Sequence, residues 1–447
     1  MSESKKVDAL FRRYRRDAVL LHRPWPPHAG PPTNSRFGGL PNLPERYEWP
    51  RTSDGTPLHF LAQVDCADIP FKTVLPSRGV LFFFGRDDDE QIWNLEPPAS
   101  DDCRVLYALD AFALTPPRQP PDDLPPIRGT GGISSAWYFY RVGREPGPNV
   151  HPAWPIVPLK LESYPDASGL PELIEHADRT WRRFLEGRFW RGLRVQGGDD
   201  IEEIAELYRE QLNARRVAAL RAASGSGGGN LDTRYDTLGG AAIMGAAASG
   251  PRAFPQHWAY IHYLARAILH SPANFTPGRD ADLRRFTEEA ERWLARSREV
   301  PLDRPVAEED RQALRTWLMS LAGPLESMEI PFRASQLAYM AAVATIRTWA
   351  GDPALAALVP SEVYAACTDW FNTYNDEDPQ FSQMLGHAHA AQDALSADNP
   401  MVCLLNLDTE RGLGWSWGDS GKCTFWITPQ DLARRDFSRV EGTIEGY

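Results

Sequence analysis

The sequence predicts an α+β fold: an aromatic-rich, mostly antiparallel β-domain of two pseudo-repeats, supplied by residues 30–165 and 380–447 and interrupted by an all-helical insertion over 170–375. Three observations predict it. Apolar runs punctuated by Pro, Gly and Asp occupy both ends of the chain, a helical apolar period occupies the middle, and two short motifs of the first third recur in the same order near the end. Residues 1–29, with Lys5, Lys6, Arg12, Arg13, Arg15 and Arg16, are expected as a helical extension.

From Gly38 to about Tyr107 the pattern is that of strands. Leu58, Phe60, Ala62, Val64 and Cys66 fall on one face of an extended chain and His59, Gln63 and Asp65 on the other, which predicts a half-buried strand. Val80 to Phe84 is unbroken and apolar, as in a strand covered on both faces. Trp137 to Val142 is a further strand candidate, and the acidic run Asp87-Asp88-Asp89-Glu90 is expected as a solvated turn.

The period changes beyond Pro171. Ile201, Ile204, Ala205, Tyr208 and Leu212 predict an amphipathic helix capped by Asp199 or Asp200, ending before the connector Ser224 to Gly229. Further helices are predicted over His257 to His270, Asp282 to Ser297, Ala307 to Leu321, Arg333 to Trp349 and Pro353 to Phe371. Arg333 to Trp349 is apolar on most sides and is placed centrally.

Strand texture returns in Met401 to Asp408 and Cys423 to Thr428. Leu61-Ala-Gln-Val-Asp65 matches Leu404-Leu-Asn-Leu-Asp408, with Pro57 and Pro400 each four residues upstream, and Gly79 with Phe83-Phe84 matches Gly421 with Phe425-Trp426. The repeat therefore places Asp65 and Asp408 at the ends of equivalent strands.

At 447 residues the chain exceeds what one hydrophobic core usually supports, which calls for two structural units or a large insertion. With 42% apolar and 24% charged residues it reads as globular. The net charge of −12 argues against a nucleic-acid footprint, which needs clustered cations, and fits either a protein partner of basic character or simply solubility. Five scattered cysteines without C-x-x-C spacing fit a reducing compartment, and no apolar stretch is long enough to span a bilayer, so a cytoplasmic protein without a membrane partner is expected.

Phe37-Gly-Gly-Leu-Pro-Asn-Leu-Pro44, Trp49-Pro50, Pro57 to Asp65 and Leu75-Pro-Ser-Arg-Gly79, followed by Leu385-Gly386, Gln392, Leu404 to Asp408, Trp417-Gly-Asp419, Gly421, Phe425-Trp-Ile427 and Asp431-Leu432 with Phe437, together resemble the YwqG-like proteins. The resemblance covers the two ends of the chain. It implies a bacterial α+β domain of unknown biochemical function, with immunity-type or protein-binding roles suggested for members near secreted-toxin loci, and it carries no catalytic residue and no cofactor. Asn406 and Thr409 stand where the second repeat of that pattern would have Gln and Ser, and the helical middle is an elaboration of it.

Several motifs invite chemistry. Gly418-Asp-Ser-Gly421 is shared with serine proteases, but no accompanying histidine motif precedes it and Lys422 follows; a Gly-rich turn is expected. His387 and His389 share one side of an extended segment and could contribute to a metal site if other ligands joined them. Gly225 to Gly229 lacks the Lys-Ser or Lys-Thr of a phosphate loop. Asp65 and Asp408 could hold a cation, act as acid and base, or cap the turns that follow them. Trp415 and Trp417 could present rings to a partner or fill the core.

Gln63, Asp65, Asp408, Trp417 and Asp419 are thus the candidate ligand- or partner-binding residues. The leading expectation is a non-enzymatic protein-binding module, immunity-type or regulatory; the alternative is an enzyme or small-ligand-binding protein using a cleft between the β-rich domain and the helical insertion.

Overall fold

The apolar runs at the two ends form two antiparallel sheets in a computed structural model that describes residues 13–88, 101–111, 115–127, 148–163, 256–270, 280–320, 334–371, 381–388, 399–410, 412–418 and 421–445. The predicted strand over Trp137 to Val142, the helix over Ile201 to Leu212, the connector, His389 and Asp419 lie outside these residues. The chain divides into two units, one made of Met1–Ile133, Pro148–Val217 and Asn372–Tyr447, the other of Ser134–Gly147 and Ala218–Phe371.

In the first unit the described strands are β1 (Arg16–His22), β2 (Arg36–Phe37), β3 (His59–Asp65), β4 (Val80–Gly85), β5 (Cys103–Ala108), β6 (Trp154–Pro155), β7 (Val157–Ser163), β8 (Gln383–Leu385), β9 (Val402–Asp408), β10 (Lys422–Ile427) and β11 (Glu441–Glu445). One sheet has the order β5-β4-β3-β2-β6 and the other β11-β10-β9-β8-β1-β7. The sheets pack through edge-on ring pairs, Phe83 with Phe425 at 5.3 Å and Phe37 with Trp415 at 5.0 Å between centroids. The outer face of the five-stranded sheet is covered by its own loop residues, Leu43 and Trp49 closing over Phe60, Phe82 and Phe84. That is why β4 is buried on both faces, as its unbroken apolar run predicts.

The two sheets are built on one plan. β5-β4-β3-β2 and β11-β10-β9-β8 occupy the same order, and the pairing Asp65↔Val80, Gln63↔Phe82, Ala62↔Phe83 has its counterpart in Asp408↔Lys422, Asn406↔Thr424, Leu405↔Phe425. Both β3–β4 and β9–β10 carry an irregularity at the equivalent place, skipping Leu61 and Leu404. The match extends to a segment that the sequence motifs did not include. Ser35-Arg-Phe-Gly-Gly39 aligns with Ser382-Gln-Met-Leu-Gly386: each serine hydroxyl accepts the backbone N–H of Asp65 or Asp408, at 2.9 and 3.2 Å. Two left-handed residues end each segment, Gly38 and Gly39 with φ of 55° and 70°, Leu385 and Gly386 with 62° and 71°.

Three expectations are corrected here. Residues 16–22 are a strand rather than part of a helical extension: β1 lies between β7 and β8, and Ala18 to Leu21 are buried. β3 is not half-buried. The skip at Leu61 puts Phe60 and Gln63 on the side of Phe84 and Phe82, so the predicted apolar face is divided, and His59 and Gln63 are as buried as their neighbours. Asp87 and Asp88 are buried rather than solvated, because His151 and Arg86 supply them with partners.

The second unit is helical: α1 (Trp258–His270), α2 (Asp280–Arg298), α3 (Glu308–Ser320), α4 (Ala334–Trp349), α5 (Pro353–Ala356) and α6 (Ser361–Phe371). α7 (Pro429–Arg434) belongs to the first unit. The predicted helix over Pro353 to Phe371 is two, since the chain turns through Leu358 and Val359 to Pro360, which cannot continue the first helix. α4 is central as expected: Ala341 to Arg347 are all buried, and Thr348 accepts a hydrogen bond from Tyr263 of α1 at 2.8 Å. Trp258, Trp293 and Trp317 form a ring ladder across α1, α2 and α3. Among the described residues no helix is long and apolar enough to cross a membrane.

Candidate functional site

Gln63 is fully buried at the centre of a polar knot. Its Nε2 donates to the Asn34 carbonyl at 2.6 Å and to Asn42 Oδ1 at 3.0 Å, and its Oε1 accepts the Asn42 backbone N–H at 3.0 Å. The amide therefore ties the 33–42 loop to β3, and its hydrogen-bonding capacity is largely spent inside the chain. Asp65 caps the 3-10 turn Cys66–Asp68: Oδ1 accepts from Ala67 N at 2.9 Å and Oδ2 from Asn34 Nδ2 at 3.1 Å. Asp68 beside it accepts from Thr33 Oγ1, Asn34 N, Ser35 N and Ser35 Oγ.

Asp408 holds the equivalent position in the other half and has a different environment. It is buried and pairs with Lys422 Nζ at 2.7 Å. Trp417 is wholly buried; its indole N–H donates to the Asp408 carbonyl at 3.2 Å and its ring leans on Trp415. Trp415 itself fills the space between Phe37, Trp417 and His151. These two rings are core, out of reach of a partner's surface. His387 is buried with Nε2 at 2.7 Å from the Tyr14 carbonyl, so that nitrogen is committed to the backbone.

Two buried charge clusters were not visible in the sequence. In one, the backbone N–H of Asp87 donates to His59 Nδ1 at 3.1 Å while His59 Nε2 meets the Pro125 carbonyl at 2.9 Å, which assigns the ring to its neutral Nε2–H form. Burial pushes the His59 imidazole down from its ordinary value, against the opposing pull of Asp87. His151 Nε2 lies 3.0 Å from Asp87 Oδ2. In the other, Arg23 pairs with Glu410 and lies 4.4 Å over the Trp154 ring; burial pushes the Glu410 carboxyl up, with Arg23 working against it and Asp408 adding to it. The partners are far apart in sequence, Asp87 from His151 and Arg23 from Glu410, so no local pattern announces them. The equivalence of Ser35 and Ser382 could have been found, as a serine four residues before a glycine in both halves.

All five cysteines are free and buried, and burial raises every thiol, Cys66 and Cys103 to about 12. These thiols are packing groups, not nucleophiles poised as thiolates. Among the described residues no group of three or more His, Cys, Asp or Glu is arranged to hold a metal ion.

The surface of the first unit carries a different kind of feature. Of the described large apolar side chains Val74 and Leu109 are the most exposed, at 67% and 53%. Leu109 follows β5 and lies against Gly79, where a Cβ would come within 3.0 Å of its Cα and 2.8 Å of the Tyr107 ring. The Tyr107 hydroxyl donates to the Arg78 carbonyl at 2.7 Å, and its ring packs on Phe437 at 5.5 Å. Val74 sits in the loop that leads to Arg78. Arg78 and Gly79 at the end of that loop, Tyr107 and Leu109 at the end of β5, and Phe437 after α7 make one face that joins parts of both pseudo-repeats.

The chain matches the family described as a domain of unknown function, DUF1963, over residues 35–150 and 297–445. The second segment starts at the end of α2, so α3 to α6 lie inside the match together with β2 to β5 and β8 to β11, while β1, β6 and β7 lie outside it. A comparison with curated proteins finds no match.

Proposed function

We propose, for a chain that belongs to the DUF1963 family, a non-enzymatic protein-binding role of the YwqG-like kind, regulatory or immunity-type, exercised through the Tyr107 face. The observation that carries this is the 53% exposure of Leu109 beside Tyr107, within the matched segment. Tyrosine and arginine are the residues enriched at interface hot spots, and an exposed aliphatic side chain beside them adds apolar surface that a partner can cover. The commitment of Gln63, Asp65, Asp408 and Trp417 to internal hydrogen bonds supports it from the other side: these side chains build the domain. The net charge of −12 by itself favours a basic partner, in keeping with a cytoplasmic binding protein.

The test is site-specific photocrosslinking in the native cell, with a benzophenone side chain at Leu109 and, for comparison, at Leu358 of the helical unit. One discrete protein adduct at Leu109, absent at Leu358, is the expected result. If Leu109 gives no adduct while the purified protein carries a stoichiometric small molecule, the binding-module reading is wrong and the small-ligand alternative takes its place.

A further inference from the structure

On the reading that the Tyr107 face binds a protein, the charge around it says which kind. Arg78 and Arg435 both act electrostatically on the Tyr107 hydroxyl, and Arg435 also on Cys66 at the end of β3, so the two cations flank the ring. Arg434 precedes Arg435 at the end of α7, and all three arginines are exposed. Their guanidinium groups make no hydrogen bond or ion pair with any described residue.

The neighbouring carboxylates are in the opposite condition. Asp65 and Asp68 are occupied by Asn34, Thr33 and Ser35; Asp110, next to Leu109, is occupied by Arg46; Asp431 by Thr428; and Asp436 by Ser438. The acids nearest this face are thus engaged in hydrogen bonds within the chain, Asp110 in an ion pair, while the three arginines are open among the described residues. An exposed cation without a partner among the described residues has no existing pair to break on binding, and its field steers anionic groups toward the face.

Arg435 adds a second observation. It is the residue after α7, in the left-handed conformation with φ of 60°, and its N–H closes the helix on the Asp431 and Leu432 carbonyls. Glycine is the favoured residue there, since a Cβ is strained in that region. The arginine side chain is exposed and makes no hydrogen bond or ion pair with a described residue that would offset the strain.

We propose that the Tyr107 face binds an acidic peptide segment of a partner protein, with Arg78 and Arg435 receiving carboxylates and Tyr107 and Leu109 receiving an aliphatic or aromatic side chain. A peptide fits better than nucleic acid because the apolar members of the face are aliphatic and the chain as a whole repels a long phosphate backbone. The partner's charge is opposite to the one that the net charge alone suggests, because local unpaired groups, not the sum, meet a partner at contact distance.

Fluorescence anisotropy with the full-length protein tests this, using labelled peptides in which leucine alternates with glutamate, glutamine or lysine, and a labelled single-stranded oligonucleotide. The glutamate peptide is expected to bind in a salt-sensitive manner and the glutamine peptide much more weakly. Arg78→Glu and Arg435→Gly should each weaken binding about two- to fivefold, the range of an exposed ion pair, and Arg284→Glu in the helical unit should not. Arg435→Gly places glycine where the backbone favours it, so its loss of binding cannot be ascribed to misfolding. Glutamate-peptide binding that is absent, or unchanged in both variants, overturns the proposal, as does preferential binding of the oligonucleotide. Binding of the lysine peptide that Leu109→Asp abolishes and the arginine variants leave intact would overturn the acidic partner and keep the binding-module reading.

Discussion

Asp65 and Asp408 occupy the same place in two copies of one structural plan and live in different surroundings. Asp65 is half-buried, caps a turn and is held by Asn34; Asp408 is buried and held by an ammonium. One strand position inward, Gln63 ties a loop to its sheet while Asn406, one methylene shorter, donates to Thr424 on the adjacent strand. What the halves share is backbone: strand order, the skipped leucine, the serine that receives the aspartate N–H, and the left-handed pair. The repeat therefore specifies how each sheet is built, and leaves the side chains free to diverge. A pair of equivalent carboxylates is not by itself a site.

The largest effect that separates the halves should come from removing what each aspartate leans on. Lys422→Ala leaves the Asp408 carboxylate, 5% exposed, without its ammonium, and should cost about 3 kcal/mol or more in chemical denaturation. Asp65→Ala removes a turn cap at a half-exposed site and should cost about 1 kcal/mol. Equal losses would mean that the two carboxylates do the same work after all.

The left-handed pair breaks the comparison differently. A Cβ on Gly38 would lie 2.3 Å from the Pro152 carbonyl oxygen with φ already at 55°, so Gly38→Ala combines overpacking with backbone strain and should cost about 3 kcal/mol. Gly55→Ala is the control, with φ of 93° and no described atom within 4 Å of the new Cβ; only the strain, about 1 kcal/mol, should appear in its denaturation midpoint.

Acid should act on both sheets through buried histidines. Burial, helped by the Arg23 charge, pushes His22 of β1 down to about 4. The unfolded chain then takes up a proton below the ordinary value of 6.5 that the folded chain refuses until about 4, so stability is full above that interval and falls within it as pH drops. The slope should be roughly 1.4 kcal/mol per pH unit from this group, and His22→Gln should flatten it. His59 of β3 shifts in the same direction and should leave a residual slope in that variant. A His22→Gln profile identical to wild type would remove His22 from the acid response.

The elements that sequence reading found are those whose signal is local. Residues 257–371 repeat apolar side chains at helical spacing, and the two matched strand motifs are contiguous runs. β1 and β7 escaped because each is explained by its neighbours: Arg16 to His22 has a short apolar run behind a cluster of arginines, and it becomes a central strand only when residues 157–163 and 383–385 flank it. Asp87 escaped for the same reason, since an aspartate run reads as solvated until a histidine 64 positions away is brought to 3.0 Å. Of the five candidate residues, the four that are described were picked because they recur or sit in motifs, which marks folding constraints as readily as function. Tyr107, Leu109 and Arg435 belong to no recurring pattern and Arg78 drew notice only as part of a motif; the exposure of Leu109 and of the two arginines, and the arginines' lack of partners among the described residues, single this face out.

The smallest predicted effect concerns the two non-glycine residues found in the left-handed region, Leu385 and Arg435, and it has opposite signs at the two sites. Leu385 stands where the first half has Gly38, but its side chain is buried, 5% exposed, so Leu385→Gly exchanges relief of strain for lost apolar burial worth about 2 kcal/mol and should destabilise. Arg435 is exposed and has less burial to lose, so Arg435→Gly should stabilise by about 0.5–1 kcal/mol, read as a small rise in the denaturation midpoint. If Arg435→Gly instead lowers the midpoint, its side chain contributes to folding, and the strain at that position no longer points to a partner.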